Sequence, residues 1–343
     1  MFSALFCLAA QPDLATALDS IADRGKIPGL GAMVVSADSV LWTHYHGVKK
    51  SGTETPVDES TVWHLGSCTK ALTALVVCRL ADQGKLDLDK PVSQVFPDFK
   101  VDDGFAAVTL RHAMAHQSGL KANLAWWRFS GDQISARRRA AAEALSQPPS
   151  SEVGKYGYSN INFVMVGVAA EQVTGKLIEE SISGELGALG IKSLGFGPTG
   201  PGGAWPHKEG VPMKDWDNDN APSMTAAGLA HMTLPDWSKF AQQMLKSLQG
   251  ESDRFPKSYI DGIINNPLGG HYAMGWVIAE QPWAKGRAYW HNGSNTMNYC
   301  ILWLAPAKNR AILLVGNNGS ATVQKEFDQM VLQIGRSEFV QGG

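Results

Sequence analysis

Ser67-Cys68-Thr69-Lys70 places a hydroxyl and an amine three residues apart. On a helix that spacing puts both side chains on one face, one turn apart. A serine is a poor nucleophile until a base takes its proton, and the lysine is placed to take it. A helix opening at this serine would also aim backbone N–H groups and a positive dipole end at a carbonyl under attack. Tyr158-Ser159-Asn160 is the one Tyr-x-Asn sequence among the seven tyrosines. A phenol near a lysine can lose its proton and act as a general base, and the asparagine amide can both donate and accept. Trp290-His291-Asn292-Gly293-Ser294 adds a glycine beside which a substrate can approach the backbone. The N–H groups of Ser294 and Ser67 would make the two halves of an oxyanion hole.

Taken singly, each of these has an ordinary structural reading. Short motifs recur by chance, and a second Ser-x-x-Lys stands at Ser118-Gly119-Leu120-Lys121. Glycine follows that serine directly, so the segment reads as a loop. His44-Tyr45-His46 puts two imidazoles on one face of a strand, but no third ligand is evident and no metal is expected. No Gly-x-Ser-x-Gly elbow, P-loop or dinucleotide fingerprint is present. Cys7, Cys68, Cys78 and Cys300 are scattered without a CxxC pair, which excludes a disulfide framework and a zinc knuckle. The chemistry on offer is that of side chains alone, with no cofactor.

The elements that must position these groups follow from patterning. The 343 residues are 44% hydrophobic and 18% charged, enough for a large core and two structural parts. A net charge of −2, with no block of like charge, excludes the electrostatic footprint of a nucleic-acid binder. No apolar run reaches the length of a membrane span. Helical spacing runs from Leu14 to Ala22, from Ser67 to Gly84 and from Asn160 to Val173, the last closed by Gly175. Thr233-Leu234-Pro235-Asp236 caps another helix. Strands are expected at 31–35 and 40–45, and again at 272–279, 287–291, 297–304 and 310–315. Residues 193–222, rich in Gly and Pro without periodicity, read as one long loop. Strands at both ends with helices between imply an α/β (α+β) fold: one antiparallel sheet built from both termini, with a mostly helical insertion.

In this order and context the three motifs resemble those of the serine β-lactamase-related family. That family holds class C β-lactamases, D-alanyl-D-alanine carboxypeptidases, D-aminopeptidases and β-lactamase-like carboxylesterases. The resemblance runs from about Leu14 to Ile334. Ile27-Pro28-Gly29 is similar to the family's opening, and Val62-Trp63-His64-Leu65-Gly66-Ser67 to its approach to the nucleophile. The segment from Leu110 through His116 and Ser118-Gly119-Leu120 is similar to its histidine–serine–glycine loop. Ala227-Gly228-Leu229 and Tyr272-Ala273-Met274-Gly275-Trp276 also have counterparts. The resemblance implies a β-lactamase/transpeptidase-like fold, with a sheet part (12–66 plus 271–343), a mostly helical part (67–270) and the site between them. It implies Ser67 as nucleophile, Lys70 and Tyr158 as the base system, and Asn160, His291, Gly293 and Ser294 as substrate-binding or oxyanion residues. Which of Lys70 and Tyr158 takes the proton stays open.

One departure shifts the expected substrate. The family's third motif is usually Lys-Thr-Gly, whereas this chain has His291-Asn292-Gly293. Lysine is charged at neutral pH and attracts a carboxylate, while histidine is mostly neutral there. The expected function is therefore a serine hydrolase acting on a small ester or amide, most like a carboxylesterase. β-Lactamase or D-Ala-D-Ala peptidase activity is the first alternative, and a silent peptidoglycan- or partner-binding homologue the second. Trp126, Trp127, Trp205, Trp216 and Trp290 are candidates for lining an acyl pocket. Met1 to Ala10 is apolar like the core of a secretory signal but lacks its basic leader. The compartment stays open, with a lean toward export to the periplasm.

Overall fold

The computed structural model describes residues 13–320 and 322–342. The apolar segment Met1–Ala10, read above as signal-like, and Cys7 lie outside the described residues. Seven strands form one antiparallel sheet: β1 (Gly29–Val35), β2 (Val40–Gly47), β3 (Tyr272–Ala273), β4 (Trp276–Gln281), β5 (Gly286–Ser294), β6 (Tyr299–Ala305) and β7 (Arg310–Gly316). Their order across the sheet is β2-β1-β7-β6-β5-β4-β3. The first and last strands of the chain pair with Leu30 opposite Gly316 and Val35 opposite Ala311. The expectation of a single sheet from both termini is met, in a mixed α/β arrangement.

Both faces of the central strands are apolar because both are covered. Side chains alternate between two cores. Leu30, Ala32 and Val34 of β1 join Ile301 and Trp303 of β6 and Ile312 and Leu314 of β7 on one side. Met33 and Val35, with Cys300, Leu302, Leu313 and Val315, face the other.

Among the described residues, eight longer helices accompany the sheet: α1 (Leu14–Arg24), α2 (Thr69–Asp82), α3 (Gln133–Leu145), α4 (Asn160–Thr174), α5 (Ile178–Gly187), α6 (Leu234–Leu248), α7 (Lys257–Asn265) and α8 (Val323–Arg336). The first face is covered by α1, whose N-cap Asp13 accepts the Thr16 N–H, and by Phe327, Met330 and Ile334 of α8. The second is covered by α6, which starts at its expected Thr233 cap and packs against β1, β6 and β7. The helix α2 carries a nearly continuous run of buried residues, and α4 is buried from Ile161 to Glu171. Neither needs an amphipathic stripe, since other helices enclose them on all sides. No single helix among the described residues is long and apolar enough to cross a membrane.

The 193–222 segment differs from the plain loop expected. Gly195–Phe196 adds a strand beside Ala230–Thr233, which in turn pairs with Val62–His64. His207–Lys208 and Val211–Pro212 close a short hairpin. Its backbone is also tied to distant chain, with Ala204 N–H donating to Val62 O and His207 N–H to Met297 O. Such pairings lie too far apart in sequence to leave a periodic signal.

Candidate active site

The chain enters the site through Val62–His64 and a turn in which Leu65 N–H donates to Ala230 O at 2.8 Å. Gly66 then adopts φ +46°, and a Cβ there would lie 2.4 Å from the Ser294 nitrogen. Only glycine fits both the left-handed turn and that approach. A 3₁₀ turn over Gly66–Cys68 carries Ser67 into α2, which begins at Thr69 rather than at the serine. Thr69 Oγ1 donates to Gly66 O at 2.6 Å and accepts the Ala230 N–H at 3.0 Å, so the turn is stitched to its neighbour strand. One turn on, Lys70 is fully buried. Its Nζ lies 3.0 Å from Ser67 Oγ and donates to Asn160 Oδ1 and to Ala227 O, each at 2.7 Å.

Tyr158 and Asn160 arrive from the other side. Ser159 caps α4, its Oγ accepting the Asn162 N–H and donating to Lys121 O. Gly157 N–H donates to His116 O and Asn160 N–H to Ala122 O, so the 116–122 loop holds this segment along its length. Tyr158 OH donates to Ser67 Oγ at 2.7 Å. Asn160 Nδ2 donates to Asn123 Oδ1 at 2.8 Å. Both polar atoms of the Asn160 side chain are thus engaged by protein groups. The His116 ring lies under Tyr158 and Tyr272, with centroids 4.4 and 4.5 Å away.

These positions decide which groups carry charge. Burial holds the Lys70 amine well below its ordinary value of 10.5. Burial around the Tyr158 hydroxyl pushes it above the usual 10, although more than a third of the residue is exposed at the ring. His291 is pushed down to about 3, chiefly by burial and then by the neighbouring Lys70. Its Nδ1 lies 2.5 Å from Asn292 O and its Nε2 2.9 Å from Tyr272 OH. A carbonyl can only accept, so Nδ1 carries the proton, and Nε2 accepts from the tyrosine. The imidazole is neutral, and both its nitrogens are engaged.

Gly293 meets the Ser67 turn directly: a Cβ on it would fall 1.9 Å from Leu65 O and 2.9 Å from Ser67 N. That contact brings the Ser67 and Ser294 amides to the same junction. All seven residues singled out in the sequence therefore gather at one place. Two of the tryptophans expected to line the pocket, Trp290 and Trp205, do not. Trp290 alternates with His291 along β5, so it points to the opposite face, stacked on Trp303 at 5.0 Å. Trp205 donates to Met213 O and lies beneath Lys50. Trp126 remains close to the site, donating to Asn123 Oδ1 at 3.2 Å.

Sequence reasoning gave no role to His116 or to the pair of His64 with Asp219, which lie against these groups. His116 sat inside the recognised loop, and a left-handed φ of +55° is not legible from residue type. His64 lies three residues before the serine, but its partner is 155 residues away. His44 and His46 do share a strand face, where Asp19 and Asp23 of α1 pair with them. Among the described residues no group of three or more His, Cys, Asp or Glu is arranged to hold a metal. Cys68, Cys78 and Cys300 are buried free thiols.

Comparison with known proteins places the fold in a family. The chain is 23% identical over 350 residues to protein flp of Staphylococcus aureus (strain COL), covering 95% of this chain and 66% of that one. It is 29% identical over 228 residues to esterase EstB of Burkholderia gladioli, covering 59% of this chain and 55% of that relative. The chain thus spans somewhat less than two thirds of the length of these curated relatives. The structure of the D-alanine carboxypeptidase AmpC from Burkholderia cenocepacia superposes with a TM-score of 0.74 at 16% identity, covering 94% of this chain and 97% of that one. The Beta-lactamase family model matches residues 14–333, nearly the whole sequence. The chain belongs to the Beta-lactamase family.

Proposed function

We propose that the protein is a serine hydrolase that cleaves a small ester, or a neutral amide, through an acyl-enzyme on Ser67. The observation that carries the reading is the convergence of Lys70 Nζ and Tyr158 OH on one hydroxyl, at 3.0 and 2.7 Å. Lys70 has two fixed acceptors, Asn160 Oδ1 and Ala227 O. They use both hydrogens of a neutral amine and leave its lone pair for the Ser67 proton. Burial favours that neutral form, so Lys70 is the base and Tyr158 the hydrogen-bond donor that steadies the developing alkoxide.

Ser67 Oγ then bonds to the carbonyl carbon while its proton passes to Lys70. The carbonyl oxygen takes the negative charge between the N–H groups of Ser67 and Ser294. Collapse breaks the bond to the leaving group, which takes a proton from the Lys70–Tyr158 pair. Water repeats the steps on the acyl-enzyme and frees Ser67. Asn160 acts here by orienting Lys70. The site lies where the sheet part (12–66 with 271–343) meets the 67–270 part, and no cofactor is required.

The preference for esters rests on His291. At neutral pH its imidazole bears no charge with which to hold the carboxylate of a penicillin or a peptidoglycan stem. The likeness to a protein named as an esterase points the same way. Hydrolysis of p-nitrophenyl butyrate and of a chromogenic cephalosporin, by wild type and by Ser67→Ala, tests the proposal. Ester turnover that vanishes in the variant, with little cephalosporin cleavage, is expected. Faster cephalosporin cleavage would overturn the substrate preference, and ester turnover retained by Ser67→Ala would overturn the mechanism.

A further inference from the structure

We propose that His64, Asp219 and Asn295 form a buried positioning relay that holds both halves of the oxyanion hole in register. The inference rests on the hydrolase reading above and adds residues to it that touch no substrate.

The relay begins one peptide before the nucleophile. Gly66 N–H donates to His64 Nδ1 at 3.1 Å. A backbone amide cannot accept, so this nitrogen must be bare and the imidazole proton must sit on Nε2. Nε2 lies 3.0 Å from Asp219 Oδ2 and donates to it. The side chains of the pair are 1% and 3% exposed, so solvent cannot replace either partner. Burial alone would raise the Asp219 carboxyl, but the bonds from His64 and Asn295 hold it below its ordinary value. Asp219 Oδ1 accepts Asn295 Nδ2 at 2.9 Å and the Asn220 N–H at 2.7 Å. Asn295 Oδ1 in turn accepts the backbone N–H groups of Met297 and Asn298.

Each end of this chain is therefore covalently next to one oxyanion donor. Gly66 precedes Ser67, and Asn295 follows Ser294. The two peptides flanking Gly66 are both pinned, the earlier one by His64 on its N–H and the later one by Thr69 on its carbonyl. Without His64 the Gly66 N–H would lose its acceptor in a buried turn that lies against Ser294. Donors placed for an oxyanion act only when they are fixed before the charge appears. The 193–222 segment is the element that delivers the carboxylate.

Asp219→Asn is the test, because it replaces an acceptor by a donor without changing shape. If the new NH₂ faces His64, the imidazole proton moves to Nδ1 and meets the Gly66 N–H. If it faces the other way, it meets the NH₂ of Asn295. Either way one end of the relay opposes itself. The kcat for p-nitrophenyl butyrate is expected to fall by about 10–10²-fold, somewhat less than loss of an oxyanion donor itself. KM should stay within about 3-fold, since ground-state binding is untouched. The rate at which a p-nitrophenyl phosphonate labels Ser67 should fall with kcat.

Asn295→Asp added to Asp219→Asn moves the carboxylate one step along the relay and restores donor-to-acceptor order from His64 to residue 295, leaving only the Asn220 N–H without its acceptor. That double variant should recover kcat to within about 5-fold, the mark of a specific coupling. Nitrogen NMR of wild-type His64 should show a bare Nδ1 and a protonated Nε2. Wild-type kcat in Asp219→Asn, no recovery in the double variant, or a proton on Nδ1 would each overturn the relay. A wild-type enzyme that takes no phosphonate on Ser67 would instead overturn the hydrolase reading, and the NMR result would still decide the relay's geometry.

Discussion

Ser67-Cys68-Thr69-Lys70 and Ser118-Gly119-Leu120-Lys121 share the same two residue types at the same spacing, and the fold uses them in opposite ways. In the first, a 3₁₀ turn leads into α2, and the lysine returns to its serine fully buried. In the second, Gly119 takes φ +78°, the chain turns away, and Lys121 is exposed. Ser118 is buried too, but its Oγ donates to Asn162 Oδ1 at 2.5 Å and accepts the Leu120 N–H. One motif sets a buried amine beside a hydroxyl. The other is a clasp that holds Tyr158 and Asn160 over it, through Lys121 O and Ala122 O. Spacing becomes chemistry only where backbone geometry and burial return the second group to the first.

The largest effect should separate the two lysines. Lys70→Ala removes the proposed base and is expected to lower kcat for p-nitrophenyl butyrate by at least ~10³-fold, within the range of general-base contributions. Lys121→Ala removes an exposed side chain whose backbone does the holding, and kcat should stay within about 2-fold. Similar losses in both variants would erase the distinction drawn here. Tyr158→Phe comes next, with an expected loss of about 10²-fold, since only one hydrogen bond to Ser67 Oγ is removed.

A pH profile sharpens the same comparison. The amine must be neutral to take a proton, so kcat/KM should rise as pH climbs through the Lys70 pKa. Burial places that limb well below 10.5. Tyr158, raised above 10, stays protonated across it. Tyr158→Phe should therefore lower the profile and leave its acid limb in place. Loss of that limb in Tyr158→Phe would make the tyrosine the base.

The contrast also explains what the sequence discloses. The three motifs and both sets of strands are local patterns, and local patterns survive in one dimension. The N-caps at Ser159 and Thr233 and the closing Gly175 are of this kind. Partners separated by long stretches of chain leave no such trace. Neither the bond between His64 and Asp219 nor the occupation of both Asn160 side-chain atoms follows from composition or spacing. Trp290 shows the same limit at one-residue scale. It adjoins His291 in sequence yet faces the opposite core, because β5 alternates its side chains and nothing local says which face holds the site.

Among the variants expected to lose rate, Ser118→Ala loses least, and the type of its effect matters more than its size. The hydroxyl is buried, bonded to Asn162 and to the Leu120 N–H, so its removal strands a buried acceptor on Asn162 and a backbone donor. That should cost about 1–3 kcal/mol of unfolding free energy in a denaturant titration. Ser67 Oγ on its 3₁₀ turn and Lys70 Nζ on α2 keep their positions, since the 116–122 loop builds neither element. What loosens is the seat of Tyr158 and Asn160, so kcat should fall only a few-fold and the acid limb should not move. A structural serine loses stability first and rate second, whereas Ser67→Ala should do the reverse. A Ser118→Ala variant that stays fully stable but loses turnover would mean that the clasp has chemistry of its own.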